Sequence, residues 1–308
     1  MHSPAPVTTP FNQTVLLGTR WGHMIALTCD PYQTGSLALY GEWARAECDL
    51  LCSCLRPGDT ALDVGANIGT MTVALAKRVG MAGAVFAFEP QRAPFMCLCG
   101  NVALTHTLVQ TRCFNVAVSD SNQPVPVPVV PLSQPFNVGG VRIGDPAYDA
   151  AVQLPREEVP CITLDELRLP RVDLIKLDVE CMESKVLAGA SDTVRRCRPV
   201  IFAEALYDTG AGREPENLAA MLRFFDTHRY WAHVVNTDLF SAGNIRFCPD
   251  KIFPGGDRNL IAFPREHRAL PDWWLRLPTI DASAVACGGS TTSANPATAM
   301  AGASPTLT

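Results

Sequence analysis

Residues 60–70 read Thr-Ala-Leu-Asp-Val-Gly-Ala-Asn-Ile-Gly-Thr, and this stretch decides the fold. Leu62 and Val64 are strand formers, and from Met71 to Val79 apolar residues recur at helical spacing, so a small-residue turn joins a strand to a helix. That is half of a βαβ unit. The turn falls at the carboxyl end of the strand. There Gly65 and Gly69 allow close backbone approach, and the helix N-terminus offers free N–H groups to a polar or anionic ligand group. A second strand, Ala84-Val85-Phe86-Ala87-Phe88-Glu89, ends in a carboxylate before Pro90. An acid about 20 to 25 residues after the glycine turn is placed to accept both hydroxyls of a ribose, so the implied ligand is a nucleoside. NAD is the nearest competitor, but its three-glycine G-x-G-x-x-G spacing fits Gly65-Ala66-Asn67-Ile68-Gly69 poorly.

Three segments in order, Asp-Val-Gly-Ala-Asn-Ile-Gly at 63–69, Ala-Phe-Glu-Pro-Gln-Arg at 87–92 and Asp-Leu-Ile-Lys-Leu-Asp-Val-Glu at 173–180, resemble the FkbM family of S-adenosyl-L-methionine-dependent O-methyltransferases. The resemblance runs from about Tyr40 to Pro264. It implies a Rossmann-like class I methyltransferase fold, in which Asp63, Gly65, Asn67 and Gly69 hold the methionine part of the cofactor and Glu89 its ribose. In the family a helix like the one opening at Tyr40-Gly41-Glu42 covers the cofactor pocket, which makes Tyr40 and Glu42 candidates for substrate contact; an acidic first turn explains Glu42 without any ligand. The family usually has glycine after Asp-Val-Glu, and Cys181 stands there.

The chain has 308 residues, 18% of them charged, and a net charge of −5 without a basic run, so the electrostatic footprint of a nucleic-acid binder is absent. No 18-residue apolar segment suits a membrane span, and Met1-His2-Ser3-Pro4 lacks the start of a signal peptide, so a cytoplasmic protein is expected. Among twelve cysteines, Cys48, Cys52, Cys54, Cys97 and Cys99 cluster, but no spacing matches a zinc site. Buried free thiols are expected.

Residues 1–13 are predicted to be disordered, 14–56 to form a hairpin (Thr14–Leu17 with Met24–Thr28) and a cap helix (Glu42–Leu55), 57–278 to form the methyltransferase domain, and 279–308 to be a disordered tail. A third strand is predicted at Thr111–Val118, whose end would place Asn115 and Ala117 against the adenine. Residues 122–160, with Val-Pro repeats and Gly144-Asp145-Pro146, are read as an irregular acceptor-side insertion without a regular helix. Thr163 is a plausible N-cap, and Val172–Leu177, Pro199–Glu204, Tyr230–Val235 and Asn259–Phe263 complete the strands. Only a loop, 236–258, separates the last two, so the seven-stranded sheet is predicted to be mostly parallel with an antiparallel last strand that brings Arg258-Asn259 to the cofactor edge.

Methyl transfer to an aliphatic hydroxyl needs an aligned acceptor and a route for its proton, supplied by a general base or a metal ion. Asp178 at the switch point is the favoured base or substrate anchor, with capping of the helix near Met182 as its alternative role. Glu180 and His233 are further catalytic candidates, and Glu204 and Asn259 substrate-binding ones. Two carboxylates two residues apart also resemble part of a Mg²⁺ site. The acceptor implied by the resemblance is a hydroxyl of a sugar, glycolipid or polyketide-type natural product. The competing readings are an NAD(P)-dependent oxidoreductase and a catalytically inactive nucleotide-binding module.

Overall fold

The computed structural model describes residues 13–205, 214–252, 256–266, 279–280 and 292–293. The chain opens on an antiparallel hairpin of β1 (Thr14–Thr19) and β2 (Gly22–Leu27). Two helices follow, α1 (Gln33–Tyr40) and α2 (Arg45–Ser53), where the sequence predicts one. The break falls at Gly41, whose φ of 71° ends α1 in a left-handed turn that glycine adopts without a Cβ clash.

Strands and helices then alternate as β3 (Thr60–Val64), α3 (Thr70–Val79), β4 (Ala84–Phe88), α4 (Arg92–Leu104) and β5 (Thr111–Phe114). Next come β6 (Ala117–Val118), β7 (Val125–Pro128), α5 (Pro146–Val152), β8 (Arg156–Val159) and β9 (Cys161–Ile162). A 3₁₀ turn, Leu164–Leu167, carries the capping box of Thr163 and Glu166. The second half is β10 (Leu174–Leu177), α6 (Glu183–Ala188), α7 (Ser191–Cys197), β11 (Val200–Glu204), α8 (Glu214–Thr227), β12 (Tyr230–Asp238) and β13 (Gly256–Pro264). Two short strands, β14 (Thr279–Ile280) and β15 (Thr292–Ser293), end the described chain.

The main sheet runs β15-β14-β12-β13-β11-β10-β3-β4-β5. From β12 to β5 it is the mostly parallel sheet that the sequence predicts, with β13 antiparallel to both β11 and β12. Three expectations change. The predicted third strand splits after Phe114, and β6 leaves the sheet to pair with β9. The insertion contains a helix after all: Asp145 caps α5 by accepting from the N–H groups of Ala147 and Tyr148, and Pro146 occupies a first-turn position where no N–H is needed. The tail, read as disordered, adds β14 to the sheet edge opposite His233, since an extended segment needs only backbone bonds to join an edge. Apart from β15, the rest of that tail, and residues 1–12, lie outside the described residues.

Period-two alternation sorts the strand side chains onto two faces. Leu62, Val64, Ile175, Leu177, Ile201 and Ala203 pack on one side with residues of α6, α7 and α8. Ala61, Leu174, Val200 and Phe202 pack on the other, with α2 and α3. Asp63 and Lys176 share the parity of this second face, and the strands place them directly opposite one another in register. A third cluster joins the hairpin and α1 to the insertion through Leu17, Leu37, Val130 and Val138, so the two additions form one lid beside the sheet.

Candidate active site

A cavity of about 640 Å³ opens at the carboxyl edge of the parallel strands, the size of a small-molecule site. Its floor is the turn after β3. Gly65 has a φ of 78°, and a Cβ there would collide with the backbone carbonyl of Asp178, so only glycine lets the turns after β3 and β10 touch. Asn67, also left-handed at 49°, lines the cavity, and its N–H donates to Glu89 Oε2 at 2.8 Å. Gln91 N–H donates to the other oxygen at 2.8 Å, so the Glu89 carboxylate is fixed in the cavity wall by two backbone bonds. Burial pushes Glu89 up to about 7, against those bonds and the more distant Lys176 cation, which favour the ionised form.

Beside Glu89, Val116, Ala117 and Val118 form an apolar wall that suits a base face. Asn115 braces this turn from outside the cavity, its amide donating to the carbonyls of Glu89 and Pro90. Gly69 begins α3 at φ 89°, with Leu98 where a Cβ would stand. Asp63 is fully buried; Thr72 donates to its Oδ2 at 2.5 Å, and Lys176 pairs with its Oδ1 at 3.2 Å. It supports the turn from beneath.

The opposite wall is acidic. Asp178, Glu180 and Glu204 each bring an oxygen within 4.8 Å of the others. Glu180 and Cys181 are consecutive left-handed residues, at φ 51° and 74°, and this tight turn aims Glu180 back at the cavity. Cys181 thus adopts the conformation for which glycine is suited. Asp178 does not take the capping role considered for it: α6 has Met182 at its N-cap and no side-chain cap, Ser184 N–H donates to Asn217 Oδ1 at 3.0 Å, and Glu183 accepts from Val179 N–H at 3.0 Å and from Asn217 at 2.6 Å. The three cavity carboxylates are hard oxygen donors, the type that a Mg²⁺ ion accepts. Tyr148 from α5 stands near Glu180 and Arg142; burial, and then Glu180, raise its phenol above the ordinary value.

Other sequence candidates stand elsewhere. His233 is 0% exposed in the middle of β12 against Phe263 and does not line the cavity. Tyr40 is buried, donating to Asp250 O at 2.8 Å and accepting from Ile252 N–H, which ties the loop after β12 to α1. Glu42 pairs with Arg20 at 2.7 Å. Asn259 lies opposite Glu204 in register, but its amide donates to Glu47 at 2.9 Å. Glu47, on α2, does line the cavity, and sequence reasoning missed it, as it missed Lys176. For Lys176 the signal was present: a charge inside the buried run Leu174–Leu177. The cysteines of the described residues are free thiols, and no described helix is long and apolar enough to cross a membrane.

The 31-O-demethyl-FK506 methyltransferase FkbM of Streptomyces tacrolimicus is 34% identical over 164 residues, which cover 45% of this chain and 62% of that protein. The chain therefore matches less than two thirds of that relative's length. Among solved structures, methyltransferase FkbM from Methylobacillus flagellatus KT aligns with a TM-score of 0.42 and 14% identity, covering 75% of this chain and 54% of that one. The O-methyltransferase from Bacillus cereus in complex with SAH aligns with a TM-score of 0.41 and 14% identity, covering 72% and 80%. The family model for the methyltransferase FkbM domain matches residues 63–231, more than half of the sequence and the whole span from the glycine turn to β12, and the chain belongs to that family.

Proposed function

We propose that this protein is an S-adenosyl-L-methionine-dependent O-methyltransferase whose acceptor is a hydroxyl on a small molecule or on a saccharide or lipid-linked compound. The observation that carries the reading is the single cavity that joins the Gly65 turn and Glu89 on one side to Asp178, Glu180 and Glu204 on the other. The name of the Streptomyces relative, a methyltransferase of a 31-O-demethyl compound, supports transfer to oxygen.

The cavity walls fit the donor. Glu89, held by two backbone N–H groups, lines a space that a ribose diol would fill, the β6 segment offers an apolar slot for adenine, and Gly65 and Asn67 border the space left for the methionine part. When bound, S-adenosyl-L-methionine supplies an electrophilic methyl group on a sulfonium. Asp178 orients the acceptor hydroxyl and takes its proton, and Glu180 and Glu204 hold neighbouring acceptor hydroxyls. The insertion, through Asn137, Arg142 and Tyr148, closes the acceptor side and limits water. A second reading rests on the proximity of the three carboxylates: Asp178, Glu180 and Glu204 would hold a divalent cation, which would supply Lewis-acid activation of the hydroxyl in place of a base.

Calorimetric titration with S-adenosyl-L-methionine and, separately, NAD tests the first claim. Micromolar binding of the former alone is expected; binding of NAD or of neither overturns it. Labelled-methyl transfer to a panel of hydroxylated acceptors, with and without EDTA, separates the two mechanisms. Loss on chelation and recovery with Mg²⁺ assigns the cluster to a cation, and an unchanged rate assigns it to base chemistry.

A further inference from the structure

We propose that Lys176 is a positioning residue that clamps the cofactor turn and the acceptor-side carboxylate into one rigid unit, a role that rests on the methyl-transfer reading above. Every residue of β10 is buried, and Lys176 is 4% exposed. A charge in such a strand is costly unless it is paired and hydrogen-bonded, and an apolar side chain of equal volume would fill the position at lower cost. The lysine is therefore explained by what its ammonium holds.

It stands beside three acceptors from two segments, the β3 strand and turn and the turn after β10. The Gly65 carbonyl accepts at 2.9 Å, Asp63 Oδ1 lies at 3.2 Å and Asp178 Oδ2 at 3.3 Å. One of the ammonium's donors hydrogen-bonds the Gly65 carbonyl, and the two carboxylates stand within ion-pair distance of it. Gly65 is the apex of the cofactor turn. Asp63 precedes it and is tied to α3 by Thr72. Asp178 belongs to the carboxylate cluster. Burial alone would lower the lysine's pKa, but the two carboxylates outweigh it and hold the ammonium above its ordinary value. The group is thus a permanent cation rather than a proton carrier. Through it, a shift of the Gly65 turn on donor binding is transmitted to the side chain that faces the acceptor.

The test uses the full chain labelled with ¹⁵N-lysine. One ammonium resonance slow to exchange with water is expected, absent from Lys176→Arg and Lys176→Met, displaced by Asp178→Asn, and displaced again when S-adenosyl-L-methionine is added. Donor affinity measured by calorimetry should fall about tenfold or more in Lys176→Met and recover to within about threefold in Lys176→Arg, which keeps the cation. A signal moved by neither Asp178→Asn nor donor, or an Arg variant as weak as the Met variant, overturns the clamp. If Lys176→Met fails to fold, the wild-type signal and the Arg variant still decide. A wild-type protein that binds no donor overturns the methyl-transfer reading and this proposal with it, whereas normal donor binding with an unmoved signal overturns only the clamp.

Discussion

The backbone carbonyl of Asp178 occupies the space that a side chain on Gly65 would need, so the turn after β3 and the turn after β10 touch through a glycine. Gly65→Ala must move one turn off the other and also place alanine at a φ of 78°. A loss of about 3 kcal/mol or more is expected, with donor binding abolished in whatever fraction folds. Gly58→Ala is the control: its φ is 91°, but nothing lies within 4 Å of the added Cβ, so only about 1 kcal/mol of backbone strain applies. Urea melts of both variants check the difference. Equal losses would mean that the Asp178 contact contributes nothing.

If Glu89 contacts the donor as proposed, donor binding should depend on pH. Its folded pKa, about 7, lies above its ordinary 4.5, so the folded chain retains a proton that the unfolded chain releases. The contribution of this group to stability is therefore full below about 4.5 and is lost as pH rises through about 7. Binding runs the other way. A ribose diol donates to the ionised carboxylate, so donor affinity should rise as pH approaches about 7 and level off above it. Calorimetry across this range checks it, and Glu89→Gln should give weak binding with a flat profile. A wild-type affinity independent of pH would remove Glu89 from the ribose site.

Cys181 sits at φ 74° directly after Glu180 at 51°, a pair of left-handed residues at the cavity edge. Cys181→Gly relieves the first strain but frees the unfolded chain, so stability should be kept or rise by up to about 1 kcal/mol. Cys181→Val puts a β-branched side chain into that conformation and should cost about 2 kcal/mol or more. Chemical denaturation of the three proteins should rank them glycine, cysteine, valine. A valine variant as stable as the native chain would show that the turn relaxes without strain.

The sheet was legible because buried apolar runs alternating with helical patterns leave few topologies, and the missing crossover helix before β13 fixed its direction. The glycine-turn wall of the cavity was legible for a similar reason: Gly65, Asn67 and Glu89 are local to one strand-turn-helix-strand segment. The far wall was not. Glu47 reaches the cavity from a helix whose angle depends on packing against α3, and Glu204 meets Asp178 only because β10 and β11 pair in register. His233 and Glu204 are both polar residues of buried strands; which of them meets the cavity is decided by the strand end, not by residue type.

Asn259 supplies the last prediction. Its amide donates to Glu47 Oε1 at 2.9 Å, the same oxygen that accepts from Thr237 at 2.5 Å, and all three side chains are buried. Asn259→Asp keeps the shape and replaces the donor by a carboxylate facing Glu47. Two like charges at this distance, poorly solvated, raise the pKa of one of the pair in the folded state. A raised carboxylate contributes stability that is present at low pH and lost as pH rises, so the variant should approach the native chain near pH 4 and fall behind by about 2 kcal/mol or more near pH 8. Thermal melts at the two pH values measure this. Native-like stability at both pH values would mean that the amide serves only to fill space, and that Glu47 is held in the cavity by other contacts.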